Sequence, residues 1–250
     1  MGCPSPARTP ASTCLAVLTR LLTERLPAQC RVCRQWDAGG LCGPCLQRFC
    51  STQHRCLHCG LGRSANPGLL APCGECIAQP PPWRSAVCAE DYAFPWSGLI
   101  GEFKFQGDVA LAHLFVQRLA CVLRQTPGAL EVDRVLPVPL SAQRLQERGF
   151  NQSWELARRL GEIFGLVCSA DLLMRPVDTA HQLELSLQER AHNLRGAFMV
   201  APQRRQAIVG QRLALVDDVM TTGATFREAT RALLEAGAAS VDVWAVARTP

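Results

Sequence analysis

An open α/β sheet behind a small cysteine-rich module is the architecture this chain spells out. Three features carry that reading. An apolar run, Leu213 to Val216, ends in Asp217 and Asp218; a loop of small and hydroxyl residues then leads into a helix-like run, Phe226 to Ala236, that stops at Gly237. Strand-like and helix-like runs alternate after residue 84, which implies right-handed parallel units with ligand at the carboxyl ends of the strands. Eight of the fourteen cysteines fall into four CxxC pairs before residue 80.

Taken in chain order, Thr13 to Leu26 is expected to form an amphipathic helix, with Ser12 as a candidate cap. Its apolar stretch is too short for a signal peptide, and arginines follow it closely. No apolar run approaches the ~18 residues of a membrane helix, so no membrane insertion is expected. Cys30/Cys33, Cys42/Cys45, Cys56/Cys59 and Cys73/Cys76 come next. Each pair offers two thiolates from one tight turn, and two pairs complete a tetrahedral site, so about two structural zinc ions are expected. A CxxC redox motif is the competing reading, which four pairs in series disfavour. Cys3, Cys14, Cys50, Cys88, Cys121 and Cys168 are isolated and read as small apolar fillers. Zinc-ligating thiols also point to a reducing, cytoplasmic setting.

Composition shifts at Gln79-Pro80-Pro81-Pro82, a stiff extended stretch. The expected organisation is therefore a cysteine module over 1–79, a proline-rich linker over 80–84 and an α/β domain over 85–250. Within the last, Ser85 to Phe94 and Leu99 to Phe105 are candidate strands. Val109 to Arg124 is a helix with Leu111, Leu114, Phe115, Leu119 and Val122 on one face. Val135 to Val138 is a short buried strand. Ser153 to Phe164 is a helix stopped by Gly165. Residues 174–195 lack a period and read as a long mobile loop. Leu213 to Val216 and Val241 to Ala247 are strands flanking the Phe226–Ala236 helix.

The chemistry concentrates after Val216. In Asp217-Asp218-Val219-Met220-Thr221-Thr222-Gly223-Ala224-Thr225, small residues let the backbone approach an anion, and uncapped N–H groups at a helix start can bind phosphate. The hydroxyls of Thr221, Thr222 and Thr225 add donors. The two acids can reach sugar hydroxyls or a Mg²⁺-bound ligand, and both are expected to be exposed at the strand end. Thr225-x-x-Glu228 also fits a plain capping box. Upstream, Val138-Pro139-Leu140 ends a strand in a turn with exposed N–H groups, and Arg144 and Arg148 offer bidentate donors to phosphate oxygens. Asn151 and Gln152 fit caps of the following helix. Lys104, between Phe103 and Phe105, alternates away from them on the candidate strand, where it could face phosphate, although solvent is the commoner setting for a lysine.

The formal net charge is +5 and the mean hydropathy is +0.06. Eight thiolates with two Zn²⁺ would bring the charge to about +1, so bulk charge gives little support to nucleic-acid binding. A local patch of Arg31, Arg34, Arg48, Arg55 and Arg63 on the cysteine module stands beside the reading that these arginines offset the thiolates and face solvent.

The 217–225 string resembles the signature of the type I phosphoribosyltransferases. With Leu136 to Leu140, Arg144, Arg148-Gly149-Phe150-Asn151-Gln152, Thr179-x-x-Gln182, Arg190-x-x-Asn193-x-x-Gly196-Ala197-Phe198 and the CxxC array, the chain resembles the ComF family from Leu22 to Arg248. The resemblance implies a type I phosphoribosyltransferase fold behind a double zinc ribbon. It implies binding of phosphoribosyl pyrophosphate (PRPP) with Mg²⁺, the acids on the ribose and the Thr/Gly loop on the 5′-phosphate, with Asp217, Asp218 and Arg148 as the catalytic candidates. It also implies a role in DNA uptake, natural competence or DNA use, with single-stranded DNA and DNA-uptake proteins as partners. Two functions stay open: a phosphoribosyltransferase that acts on a base or another nitrogen nucleophile, and a PRPP-sensing module that handles DNA. Neither the loop nor the acids have a neighbouring base to activate an acceptor.

Overall fold

A computed structural model describes residues 28–37, 40–50, 54–63, 72–176 and 196–250. The expected Thr13–Leu26 helix and most of the expected 174–195 loop, including Thr179, Gln182, Arg190 and Asn193, lie outside them. The chain divides into two compact units, Met1–Phe49 and Cys50–Pro250. The proline-rich boundary expected near residue 80 falls inside the second unit.

In the first unit a hairpin of β1 (Ala28–Gln29) and β2 (Trp36–Asp37) precedes a short helix, α1 (Gly43–Phe49). The second unit opens the same way, with an antiparallel hairpin of β3 (His54–Arg55) and β4 (Gly62–Arg63) and then α2 (Gly74–Ala78). The repeated CxxC spacing thus gives two similar hairpin–helix knuckles.

The main sheet has five strands in the order β5-β11-β10-β6-β7, all parallel. They are β5 (Ser85–Asp91), β6 (Arg134–Pro137), β7 (Val167–Cys168), β10 (Arg212–Met220) and β11 (Ser240–Arg248). A small antiparallel pair, β8 (Leu173–Met174) and β9 (Met199–Val200), stands apart. Burial explains the strand composition. Leu213, Ala214, Leu215 and Val216 are fully buried, as are Trp244 and Val246, so these strands read as continuous apolar runs, as parallel sheets covered on both faces do.

The helices are α3 (Trp96–Phe105), α4 (Leu111–Gln125), α5 (Ala142–Arg148), α6 (Gln152–Phe164) and α7 (Ala224–Glu235). Leu114, Phe115, Leu119, Leu156 and Leu160 from α4 and α6 are all buried, and Phe115 meets Phe103 edge-on at 5.5 Å. Against a second core, α7 buries Phe226, Ala229 and Leu233 with Leu136, Leu215 and Val243 of the sheet.

Two local expectations are corrected. Leu99 to Phe105 belongs to helix α3 and not to a strand, because Trp96, Leu99, Ile100 and Phe103 are all buried, which is helical spacing. Thr225 does not cap α7; the cap position is Gly223, in the left-handed region at φ 77 with no side-chain cap bond. Asn151 does cap α6, accepting from the N–H groups of Ser153 at 2.9 Å and Trp154 at 3.4 Å.

Candidate functional site

At the carboxyl ends of β6 and β10 the surface folds into a cleft of about 220 Å³. Its walls include Val138, Pro139, Leu140, Arg144, Arg148, Asp217, Asp218, Val219, Thr221 and Thr225. Residues from two distant motifs therefore share one cavity. Met220, Thr222 and Gly223 face a separate hollow on the other side of the loop. Ala224 begins α7, and its N–H donates to the Thr222 hydroxyl at 3.3 Å.

Each wall has a local cause. The N–H of Val138 bonds to the Val216 carbonyl at 2.9 Å, extending the β6–β10 pairing to the lip of the cleft. The Asn151 amide donates to the Val138 carbonyl at 3.3 Å while its oxygen caps α6, so one residue fixes both the turn and the helix. Ser141, buried, accepts from the Arg144 N–H at 3.4 Å and starts α5, the helix that carries Arg144 and Arg148. Arg148 donates to Gln152 at 3.1 Å and lies over the Phe105 ring at 5.4 Å.

The two acids are not exposed as expected. Asp218 is only 5% accessible and pairs with Lys104 Nζ at 2.8 Å. Asp217 accepts from the Ser153 hydroxyl at 2.7 Å and from the Asp218 N–H at 2.9 Å. Desolvation, joined by the neighbouring Asp218 carboxylate, pushes Asp217 up to about 7. The acids sit deep because β10 runs on to Met220, beyond the apolar run visible in the sequence.

The cleft also takes in Tyr92, Lys104, Gln152, Ser153 and Arg175, which sequence reasoning did not assign to the site. Lys104 reads as solvent-facing in the sequence, with phosphate as the alternative. The helical turn of α3 instead aims it at the acids. Four basic side chains against two acids suit a highly charged anionic ligand.

The eight paired cysteines form two clusters, Cys30/Cys33/Cys42/Cys45 and Cys56/Cys59/Cys73/Cys76, with all ligand atoms of each within 4.8 Å of one another. Sulfurs at the corners of a tetrahedral zinc site lie ~3.8 Å apart. Cys33 and Cys42 approach to 3.4 Å, Cys59 and Cys73 to 3.6 Å, and Cys56 and Cys76 to 4.0 Å. Backbone N–H groups of Cys42, His58 and Cys73 donate to cluster sulfurs at 3.4 Å, which favours thiolates. Both clusters could hold zinc. Of the isolated cysteines, Cys88 is buried, and burial pushes its thiol up to about 12. Cys168 packs against Gly161 and bonds to the Ala157 carbonyl at 3.2 Å. Both behave as fillers.

The arginine patch is broken up. Arg55 is committed to Asp91 at 2.8 Å and to the Gly60 carbonyl at 3.1 Å, with its side chain only 9% exposed. Arg48 lies over the Phe49 ring at 5.3 Å.

A DNA utilization protein, YhgH, of Salmonella typhimurium is 37% identical over 231 residues, covering 90% of this chain and 98% of the relative. Competence protein F of Haemophilus influenzae is 32% identical over 212 residues, 84% of this chain and 90% of the relative. The chain belongs to the ComF family. Competence protein ComFC of Bacillus subtilis is 28% identical over 210 residues, 79% of each chain. No protein-family model matches the chain. Among solved structures, a glutamine PRPP amidotransferase from B. subtilis aligns at a TM-score of 0.34 with 22% identity, over 55% of this ComF chain. That alignment spans 25% of the amidotransferase. A PRPP synthetase from Mycobacterium smegmatis aligns at 0.28 with 14% identity.

Proposed function

We propose that this ComF-family chain binds PRPP with a type I phosphoribosyltransferase-like site and serves the uptake or use of external DNA. The observation that carries the first half is the convergence of Asp217, Asp218, Val219, Thr221 and Thr225 with Val138–Leu140, Arg144 and Arg148 on one cleft. Asp217 and Asp218 would hold the ribose hydroxyls. The loop N–H groups and the hydroxyls of Thr221 and Thr225 would take the 5′-phosphate. The turn at Val138–Leu140, with Arg144 and Arg148, would take the pyrophosphate. Mg²⁺ accompanying PRPP would neutralise charge on the leaving pyrophosphate. Any transfer would rest chiefly on charge stabilisation by Arg148 and its neighbours. The clusters' closed thiolate sets support structural zinc, and zinc thiolates fit a cytoplasmic protein.

The DNA half rests on the names of the relatives and on Arg31, Arg34 and Arg48 of the first unit. Arg55 no longer belongs to that group, because Asp91 holds it. The test is PRPP titration with Mg²⁺ by calorimetry, followed by pyrophosphate release with bases or single-stranded DNA present. Asp217→Ala with Asp218→Ala should weaken PRPP by about a hundredfold, since charge-assisted hydrogen bonds to the ribose are removed. Unchanged affinity would overturn the site. Binding without pyrophosphate release would favour a PRPP-sensing module over a transferase.

A further inference from the structure

The second cysteine knuckle is wired to the back of the Val219–Thr225 loop by two side chains. Arg248, the last residue of β11, pairs in register with Met220. Its Nε donates to the Cys59 carbonyl at 2.9 Å, and its guanidinium also reaches the carbonyls of Met220, at 3.3 Å, and of Thr221. Trp83 is the other link. Its indole N–H donates to the His58 carbonyl at 2.6 Å, and its ring lies 3.1 Å from where a Cβ on Gly223 would stand. The same ring meets Phe226, in the first turn of α7, at 6.5 Å. His58 and Cys59 belong to one CxxC turn, so its two adjacent carbonyls grip the two side chains that brace the loop.

The knuckle cannot shift freely beneath these links. A side chain on Gly60 would come within 2.3 Å of Cys88 Sγ on β5. The Ala86 N–H donates to the Leu57 carbonyl at 2.6 Å, and Arg55 pairs with Asp91 at 2.8 Å. Peptide planarity converts the Arg248 hydrogen bonds into an orientation. Fixing the carbonyls of Met220 and Thr221 toward Arg248 turns the N–H groups of Thr221 and Thr222 the opposite way. Arg248 lines the hollow behind the loop and is absent from the walls of the cleft in front.

We propose that Arg248 and Trp83 are positioning residues that couple the Cys56/Cys59/Cys73/Cys76 cluster to the shape of the phosphate loop. A filled cluster holds the CxxC turn in place; the turn holds Arg248 and Trp83; they hold the loop ready for its anion. The consequence for PRPP rests on the reading of this loop as the 5′-phosphate site. Coupling is reciprocal, so an anion on the loop also tightens metal binding by the cluster.

The test uses the full zinc-loaded chain and three variants, Arg248→Ala, Arg248→Lys and Cys59→Ser. Hydrogen exchange of the Met220–Thr225 amides is the primary readout, with zinc content and PRPP affinity beside it. Arg248→Ala should speed loop exchange, keep both zinc ions and weaken PRPP by about tenfold. Arg248→Lys should fail to restore it, since one ammonium cannot span the carbonyls that the planar fork reaches. Cys59→Ser, which disables the cluster while Arg248 remains, should speed exchange of the same amides, and PRPP should shift the equilibrium partition of zinc between the wild-type chain and a competing chelator toward the chain. Loop exchange unchanged in Arg248→Ala and Cys59→Ser would overturn the coupling. A wild-type chain that binds no PRPP would overturn the phosphate-site reading instead, and the exchange result would still decide the coupling.

Discussion

Lys104 is the one lysine among 26 cationic residues, and it is spent on Asp218. A compact ammonium suits that position, because a buried carboxylate there has to be neutralised without filling the cleft. Lys104→Met should lower stability by about 2 kcal/mol through the orphaned Asp218, and Asp218→Asn in the same chain should recover most of it. Urea melts of the four-member cycle check this. Asp217 carries a pH signature. Its raised value means that the folded chain keeps a proton the unfolded chain has already released, so stability falls as pH rises from the ordinary carboxylate range and levels off near 7. Asp217→Asn should flatten that slope and leave the variant more stable than wild type at about pH 8. A slope that survives the substitution would assign it to another group. The sequence named both acids but misjudged their burial, since nothing in a run of letters tells how far a strand continues beneath a helix.

The helix Trp96–Phe105 is the instructive element. Phe103-Lys104-Phe105 alternates like a strand, yet Trp96, Leu99, Ile100 and Phe103 are spaced for a helix face. A short window catches the wrong period, and Lys104 drops out of the site with it. The strand–loop–helix at 212–235 was legible because its apolar runs, small residues and terminal Gly237 agree with one another. The cap was not: Thr225 matched the pattern, but Gly223 adopts the positive φ that lets Trp83 approach. The two knuckles have identical donor sets and different surroundings. The second is bonded into the sheet through Ala86, Asp91 and Arg248. Cys56→Ser should therefore lower the melting temperature of the Cys50–Pro250 unit, whereas Cys30→Ser should leave that transition in place. Calorimetric scans with zinc analysis would separate the two, and equal shifts would refute the difference.

For the whole molecule, the composition foretold the main division of labour, an α/β unit and cysteine knuckles, but not where one compact unit ends. The prolines at 80–82 read as a stiff extended linker. Yet Trp83 is buried beside them and the Arg84 N–H bonds to the Val241 carbonyl at 2.7 Å. That bond joins residues far apart in the sequence, and no local pattern announces it. Single-stranded DNA is expected to bind modestly and with salt sensitivity. Neutralising Arg31, Arg34 and Arg48 together should flatten the log–log salt slope by roughly 0.7 for each phosphate that is no longer paired, with PRPP affinity unchanged. An unaltered slope would move the DNA site elsewhere.

The strand order β5-β11-β10-β6-β7 has a bearing on how the chain is born. Among the strands of the sheet, the first, β5, pairs with β11 alone, which follows it after some 150 residues of sequence. On the ribosome, Ser85–Asp91 therefore emerges long before its neighbour exists and must wait with an open, apolar edge until Ser240–Arg248 is translated. Nascent chains stalled before residue 240 should bind chaperones and be cut readily by protease around β5, and completion and release of the chain should end both.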